Sequence, residues 1–342
     1  MKKALFLCLF ATVVTLAVLQ ARGATVTIKL ATLAPDGSNW HEHLKDLAER
    51  WKEVSGGQVR LRIYAGGVAG DDLDVMRKIR IGQLSAAAIT PQGLSSISKA
   101  TRVFSIPRMI RSYDELDYAM EQMAPRLEAI LAERGFIVLD WAYAGWARFF
   151  VPEPVTTVAA VQKLKLFTWA GDADSTELWK EAGFNVVPLP ATEIMMGLQT
   201  GLINAFDTVP VMALATQWFR HTPYMIALNW APLTGALVVS KRAWDKVPED
   251  LRPALMAEAK KIMARWRADT RRLESEAVEA MKKRGVKVLQ PSTSDVEEWD
   301  ATVKKAYPHI RGRFVPTEYF DEIVRIVGTF REASQRPASA TR

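Results

Sequence analysis

The chain has 342 residues, 49% of them hydrophobic and 24% charged, with 45 lysines and arginines facing 38 acids and a single cysteine. That length suits about two lobes and a substantial core. Charges of both signs are mixed along it without a polybasic arm, which argues against a nucleic-acid partner, and one cysteine excludes a disulfide framework.

Lys2 and Lys3, an apolar run at residues 4–19 and the small-x-small triplet Ala21-Arg22-Gly23 read as a secretory signal cleaved near Gly23. The run is shorter than the ~20 residues that span a bilayer, so export outweighs anchoring. Cys8 lies inside that run and not at a lipidation site. Loss of Lys2, Lys3 and Arg22 takes the net charge from +7 to +4 and leaves no cysteine to act as a nucleophile.

Residues 26–32 alternate as a strand, with Val26, Ile28 and Leu30 on one face. Pro35-Asp36-Gly37 is a turn, Ser38 a helix cap, and Trp40, Leu44, Leu47, Trp51 and Val54 form one buried helical stripe that Gly56-Gly57 ends. Val59, Leu61 and Ile63 make a second strand, followed by a glycine turn, a short helix capped near Asp71 and a small-residue strand at 84–89. The glycine turn lacks any phosphate-loop pattern, and Asp71-Asp72 would repel a phosphate. His41 and His43 are two apart, so they point to different faces of a helix, and there is no GxSxG elbow. Nothing points to an enzyme, a metal or a cofactor.

The stretch 140–210 organises the rest. Apolar runs at 163–169, 185–189 and 202–208 alternate with helical patterns at 175–182 and 192–200. Such alternation predicts a largely parallel sheet whose ligands sit beyond the strand ends, here Phe167-Thr168-Trp169 and Phe206-Asp207-Thr208. A lone Arg148 among aromatics precedes them. Residues 248–284 then form one helix with Leu255, Ala259, Ile262, Trp266, Leu273 and Met281 on a stripe, ~50 Å long and able to brace two lobes. The tail from 333 to 342 reads as frayed.

The segments IKLATLAPDGSNW, SGGQVRLRIYAGGVAGDD, IRIGQLSAAAI, SIPRMIRSYDEL, GWARFF, ATEIMMGLQTGLINAFDTVP and SKRAWDKVPEDLRPAL, in that order, resemble the extracytoplasmic solute-binding receptors of TRAP transporters, the dicarboxylate-receptor family. The resemblance covers the chain from Thr27 to about Phe330. It implies an α/β, two-lobed, Venus-flytrap fold of the type II-like periplasmic kind, with crossing hinge strands. Lobe I would take 24–144 and about 231–248, lobe II 145–230 and about 286–330, with 249–285 as the long helix. It implies a periplasmic receptor that closes on a small organic anion and delivers it to TRAP integral-membrane subunits. Monomer and dimer both remain open.

One departure bears on the ligand. Where the family carries an arginine that forks onto a carboxylate, this chain has Phe167, and the family's Gln-Glu-Asn reads Phe206-Asp207-Thr208. Arg148 matches the family's other cleft arginine and is the expected anion contact. Trp40, Trp146, Phe167, Trp169, Phe206 and Trp230 gather near the predicted cleft edges, each read alone as core, together as walls for an organic acid with an aromatic or apolar body. Asp207, Thr208 and Thr90 complete the expected site. The alternatives are a receptor for a neutral apolar ligand and an exported sensor or interaction module of the same fold.

Overall fold

The computed structural model describes residues 25–335, so the expected signal and the end of the tail lie outside the described residues. The first sheet has the order β2-β1-β3-β10-β4, built from β1 (Val26–Thr32), β2 (Val59–Tyr64), β3 (Ala86–Ile89), β4 (Phe136–Trp146) and β10 (Pro232–Ser240). Strands β1 to β3 are parallel, as helical crossovers demand, and β10 runs antiparallel between β3 and β4. The alternation along β1 buries Ile28 and Leu30 and leaves Thr27 and Lys29 exposed. Ser38 caps the Asn39–Val54 helix by accepting from the His41 N–H, and Asp71 caps the Asp72–Arg80 helix.

The second sheet has the order β11-β9-β5-β8, from β5 (Arg148–Val151), β8 (Phe206–Thr208), β9 (Tyr224–Ile226) and β11 (Lys287–Leu289). Beside it lies the parallel pair β6 (Leu166–Trp169) and β7 (Val186–Leu189), joined to it by a parallel bridge between Leu166 and Ala205. The second lobe is less parallel than expected, because β5 pairs antiparallel with both β8 and β9. The reason is its origin: β5 is the continuation of β4 out of the first sheet. Phe149, Trp230 and Trp299 fill one side of this lobe, and Phe150, Phe167 and Phe206 the other.

The long helix is Arg252–Lys282, 31 residues, with a 3-10 turn at Glu249–Leu251 where the sequence suggests its start. Its Leu255, Ile262 and Trp266 pack into the first lobe and its Met281 into the second. It therefore braces both. The Thr317–Gln335 helix departs from expectation: Tyr319, Phe320 and Ile323 join the first lobe's core and Arg331 pairs with Glu115, whereas the resemblance gives 286–330 to the second lobe. It is also helical to Gln335, past the point where fraying is expected.

Where β4 becomes β5, three elements meet on one carboxylate. Glu274 of the long helix is buried, accepts from the Tyr113 hydroxyl and pairs with Arg148, Nη2 to Oε1 3.0 Å. Burial pushes the Glu274 carboxyl up and the Arg148 charge opposes it, while burial and the adjacent carboxylate push the Tyr113 phenol up, so it stays a donor. Removing one member of a buried pair leaves the other uncompensated. Glu274→Gln should cost about 3 kcal/mol in a urea melt, and Arg148→Met with Glu274→Leu should recover part of it. An unchanged midpoint for Glu274→Gln would show that the pair contributes nothing to stability.

Candidate ligand cavity between the lobes

A cavity of about 190 Å³ lies between the two sheets. Its first-lobe wall is the turn after β3, Thr90 to Gln92, together with Arg102, Ser105 and Leu233. Its second-lobe wall is the carboxyl ends of β6 and β8, Thr168, Trp169 and Asp207, with Asp172, Trp179, Phe184 and Trp230. This is where a ligand belongs in such a sheet: strand ends stop there and leave their side chains and amides facing open space.

Arg102 is the only cation among the described residues that line it, and its side chain is just 7% exposed. A guanidinium so buried requires carboxylates. The second lobe supplies them: Arg102 donates to Asp172 Oδ1 at 2.9 Å and to Asp174 Oδ2 at 3.2 Å, and to Ser95 Oγ in its own lobe at 3.3 Å. Its guanidinium carbon lies 4.6 Å from the centre of the Phe314 ring. Asp172 is held by its own helix, which it caps, accepting from the Ser175 N–H and hydroxyl at 3.1 and 2.8 Å. Of the five guanidinium N–H groups, three are committed to these bonds, so about two remain to donate.

Ser105 adds a second donor. Its Oγ is buried and has no hydrogen-bond partner among the described residues. Arg102 and Ser105 both belong to the 3-10 segment Lys99–Ser105, and residues three apart in a 3-10 helix share a face. Both border the cavity from there. Asp207 faces them from the other lobe. Among the described residues it has no side-chain partner, and burial pushes its carboxyl up to about 6 against the single opposing hydrogen bond from its own backbone.

Of the residues singled out in the sequence, the structure brings Thr90, Trp169, Asp207 and Trp230 together at the cavity. Phe167 and Phe206 are core: Phe167 is 2% exposed, and Phe206 stacks on Phe150 at 5.0 Å. Arg148 points away from the cavity into its pair with Glu274, while its neighbour Ala147 borders the cavity, as strand alternation requires. Thr208 pairs with Arg148 across the sheet. Trp146 is buried against Tyr113 in the first lobe. Trp40 stacks on Trp266 and borders a separate apolar pocket of about 70 Å³ that shares Thr90 and Leu233 with the main cavity. Sequence reasoning misses Arg102, Ser105 and Asp172. Arg148 stands between Trp146 and Phe149-Phe150, whereas Arg102 has a single aromatic, Phe104, two residues on, and so carries no comparable signal.

Among the described residues, no helix is long and apolar enough to cross a membrane. The chain is 25% identical over 303 residues to a solute-binding protein of Chromohalobacter salexigens, covering 84% of this chain and 87% of that one. It is 22% identical over 291 residues to the sialic acid-binding periplasmic protein SiaP of Vibrio cholerae, covering 84% and 89%. In structure it resembles the sugar acid binding protein DctPAm of Advenella mimigardefordensis, solved with galactonate, with a TM-score of 0.84 at 18% identity over 90% of this chain and 99% of that one. It also resembles DctP7 of Bordetella pertussis, a receptor binding pyroglutamic acid, with a TM-score of 0.81 at 15% identity over 87% and 99%. These relatives are binding receptors, not enzymes. A profile of the bacterial extracellular solute-binding proteins, family 7, matches residues 30–312, and the chain belongs to that family.

Proposed function

We propose that the chain is the exported, substrate-binding subunit of a TRAP-type transporter, cleaved near Gly23, which captures an organic acid between its lobes and passes it to the membrane subunits. Relatives named for sialic acid and C4-dicarboxylates, and solved ones holding sugar acids, support an acid as the class. The observation that carries the reading here is the pairing of Arg102, with N–H groups to spare, and the unpartnered Ser105 hydroxyl on one face of the cavity wall. A carboxylate suits both donors. This seat lies in the first lobe, away from the β6 position where the resemblance places the family's arginine and this chain has Phe167.

The body of the acid would lie along Trp169, Trp179, Phe184 and Trp230, which favours an aromatic or apolar skeleton. The binding cycle rests on the same contacts. Arg102 and its two aspartates join lobe to lobe, and Arg313 reaches across to Glu177 and Glu181. A solute touching both walls adds to these bonds only when the lobes are together, so it shifts the population towards the closed form.

The first test is a thermal-shift screen of residues 24–342 against aliphatic diacids, aromatic and branched acids, amino acids and neutral apolar compounds. A solute at ~100 times its dissociation constant adds about 2.7 kcal/mol, several degrees of shift. Acids should shift the protein and neutral compounds should not; the reverse would sink the acid reading. Ser105→Ala should weaken acid binding about tenfold with little change in melting, since it removes one charge-assisted hydrogen bond worth about 1.5 kcal/mol. Arg102→Gln should lose acid binding and also melt earlier, because Asp172 and Asp174 lose their common partner.

The empty protein should also show Asp207 in its pH dependence. A carboxyl whose folded value is raised from 3.8 to about 6 favours the folded state below the lower value and loses that contribution as pH rises through the higher one. Asp207→Asn should therefore match the parent near pH 4 and exceed it above pH 6, by on the order of 2 kcal/mol. Melts at the two pH values measure it; parallel curves would show Asp207 to be solvated.

A further inference from the structure

The charges that line the cavity do not balance. Among the described lining residues they are Arg102, Asp172 and Asp207. Arg102 and Asp172 neutralise one another through their 2.9 Å bond, and outside the cavity wall Asp174 is likewise answered by Lys99. Among the described residues no cation answers Asp207. It sits at the end of β8, opposite Phe149 in the β5 ladder, where its oxygens accept no side-chain hydrogen bond among the described residues. Asp207 is half-buried at the cavity wall, and an unpaired carboxylate drawn partly out of water is costly, so a protein keeps one in a binding cavity where the ligand supplies the compensating donor.

A plain monoacid or diacid makes this worse. Its carboxylate at Arg102 would bring a further negative charge into a space that already carries an excess of one. A solute that is neutral overall, with positive charge at the far end, removes both problems. The walls suit such a charge: Trp169 at the end of β6 borders the same cavity as Asp207 at the end of β8, and an indole face attracts a cation, most strongly where water is excluded.

We infer that the solute is a zwitterion, an amino acid or betaine-like acid, with its carboxylate on Arg102 and Ser105 in the first lobe and its cationic nitrogen on Asp207 in the second. This rests on the receptor reading and narrows it. It also makes the ligand a strut of opposite polarity at its two ends, each end satisfied by a different lobe, so that only the closed form satisfies both. A cation-free acid would engage one wall and face repulsion at the other.

The experiment is calorimetric titration of skeleton-matched pairs into residues 24–342: 3-phenylpropanoate against phenylalanine, and pentanoate against 5-aminopentanoate, with glutarate as the diacid. The amino member of at least one pair should bind ten times or more tightly than its nitrogen-free partner, and glutarate should be the weakest. In Asp207→Asn that preference should fall about tenfold, while the nitrogen-free acid binds as well or better. Nitrogen-free acids or glutarate binding as tightly as the amino acids overturns the inference and leaves the receptor reading standing. So does a preference that survives in Asp207→Asn. Binding by none of these acids, with or without nitrogen, overturns both. The native selectivity is read without any variant, so a failure of Asp207→Asn to fold does not obscure the result.

Discussion

A guanidinium removed from water must find carboxylates within hydrogen-bonding reach, and Arg102 finds them only by reaching across from one lobe to the other. That one requirement governs the geometry around it. It fixes how the 3-10 segment Lys99–Ser105 stands against the helix that Asp172 caps, and hence the size and shape of the space between. It leaves a cation at the wall with part of its donor capacity unspent. It also places the Ser105 hydroxyl, one 3-10 turn further on, beside that cation. Coulomb attraction across a low-dielectric gap is strong at this range, but the desolvation it must offset is also large. The pair is therefore better understood as a device for alignment than as a source of stability.

Arg148 performs the equivalent service at the other end of the cleft, where the backbone itself passes between lobes. Glu274 gathers a cation from the second lobe and a phenol from the first onto a helix that touches both. The two arginines thus divide the work: one ties the lobes at their crossing, the other at their mouth. The aromatic residues divide similarly. Phe167 and Phe206 build the layer beneath the cavity, while Trp169 and Trp230 border it.

Much of this is legible in the sequence because it rests on local pattern. The stripe from Trp40 to Trp51, the cap at Ser38, the alternation in β1 and the long helix all follow from spacing within a few residues. Order and coverage of short segments point to the fold. The illegible part depends on which of two neighbouring side chains faces a ligand. In a four-residue strand buried on both sides, alternation has no polar face to set its phase, so pattern alone puts Phe167 and Arg148 on the cavity when Thr168 and Ala147 border it. Arg102 escapes notice for a different reason. Its partners lie 70 and 72 residues away in sequence, and no pattern within its own segment announces them. The last helix is expected in the wrong lobe because the chain recrosses after Val303, and the return is visible only in the contacts of Tyr319 and Phe320.

The insertion of β10 between β3 and β4 has a consequence for how the chain becomes native. The first sheet cannot close until residues 232–240 are available, although its first three strands end at Ile89. The whole of β5 to β9 emerges in the interval. Contacts so distant along the chain make folding slow relative to local helix formation. A polypeptide whose central sheet is held open by its own connectivity spends longer without a closed core, with the facing edges of β3 and β4 unpaired until β10 arrives between them.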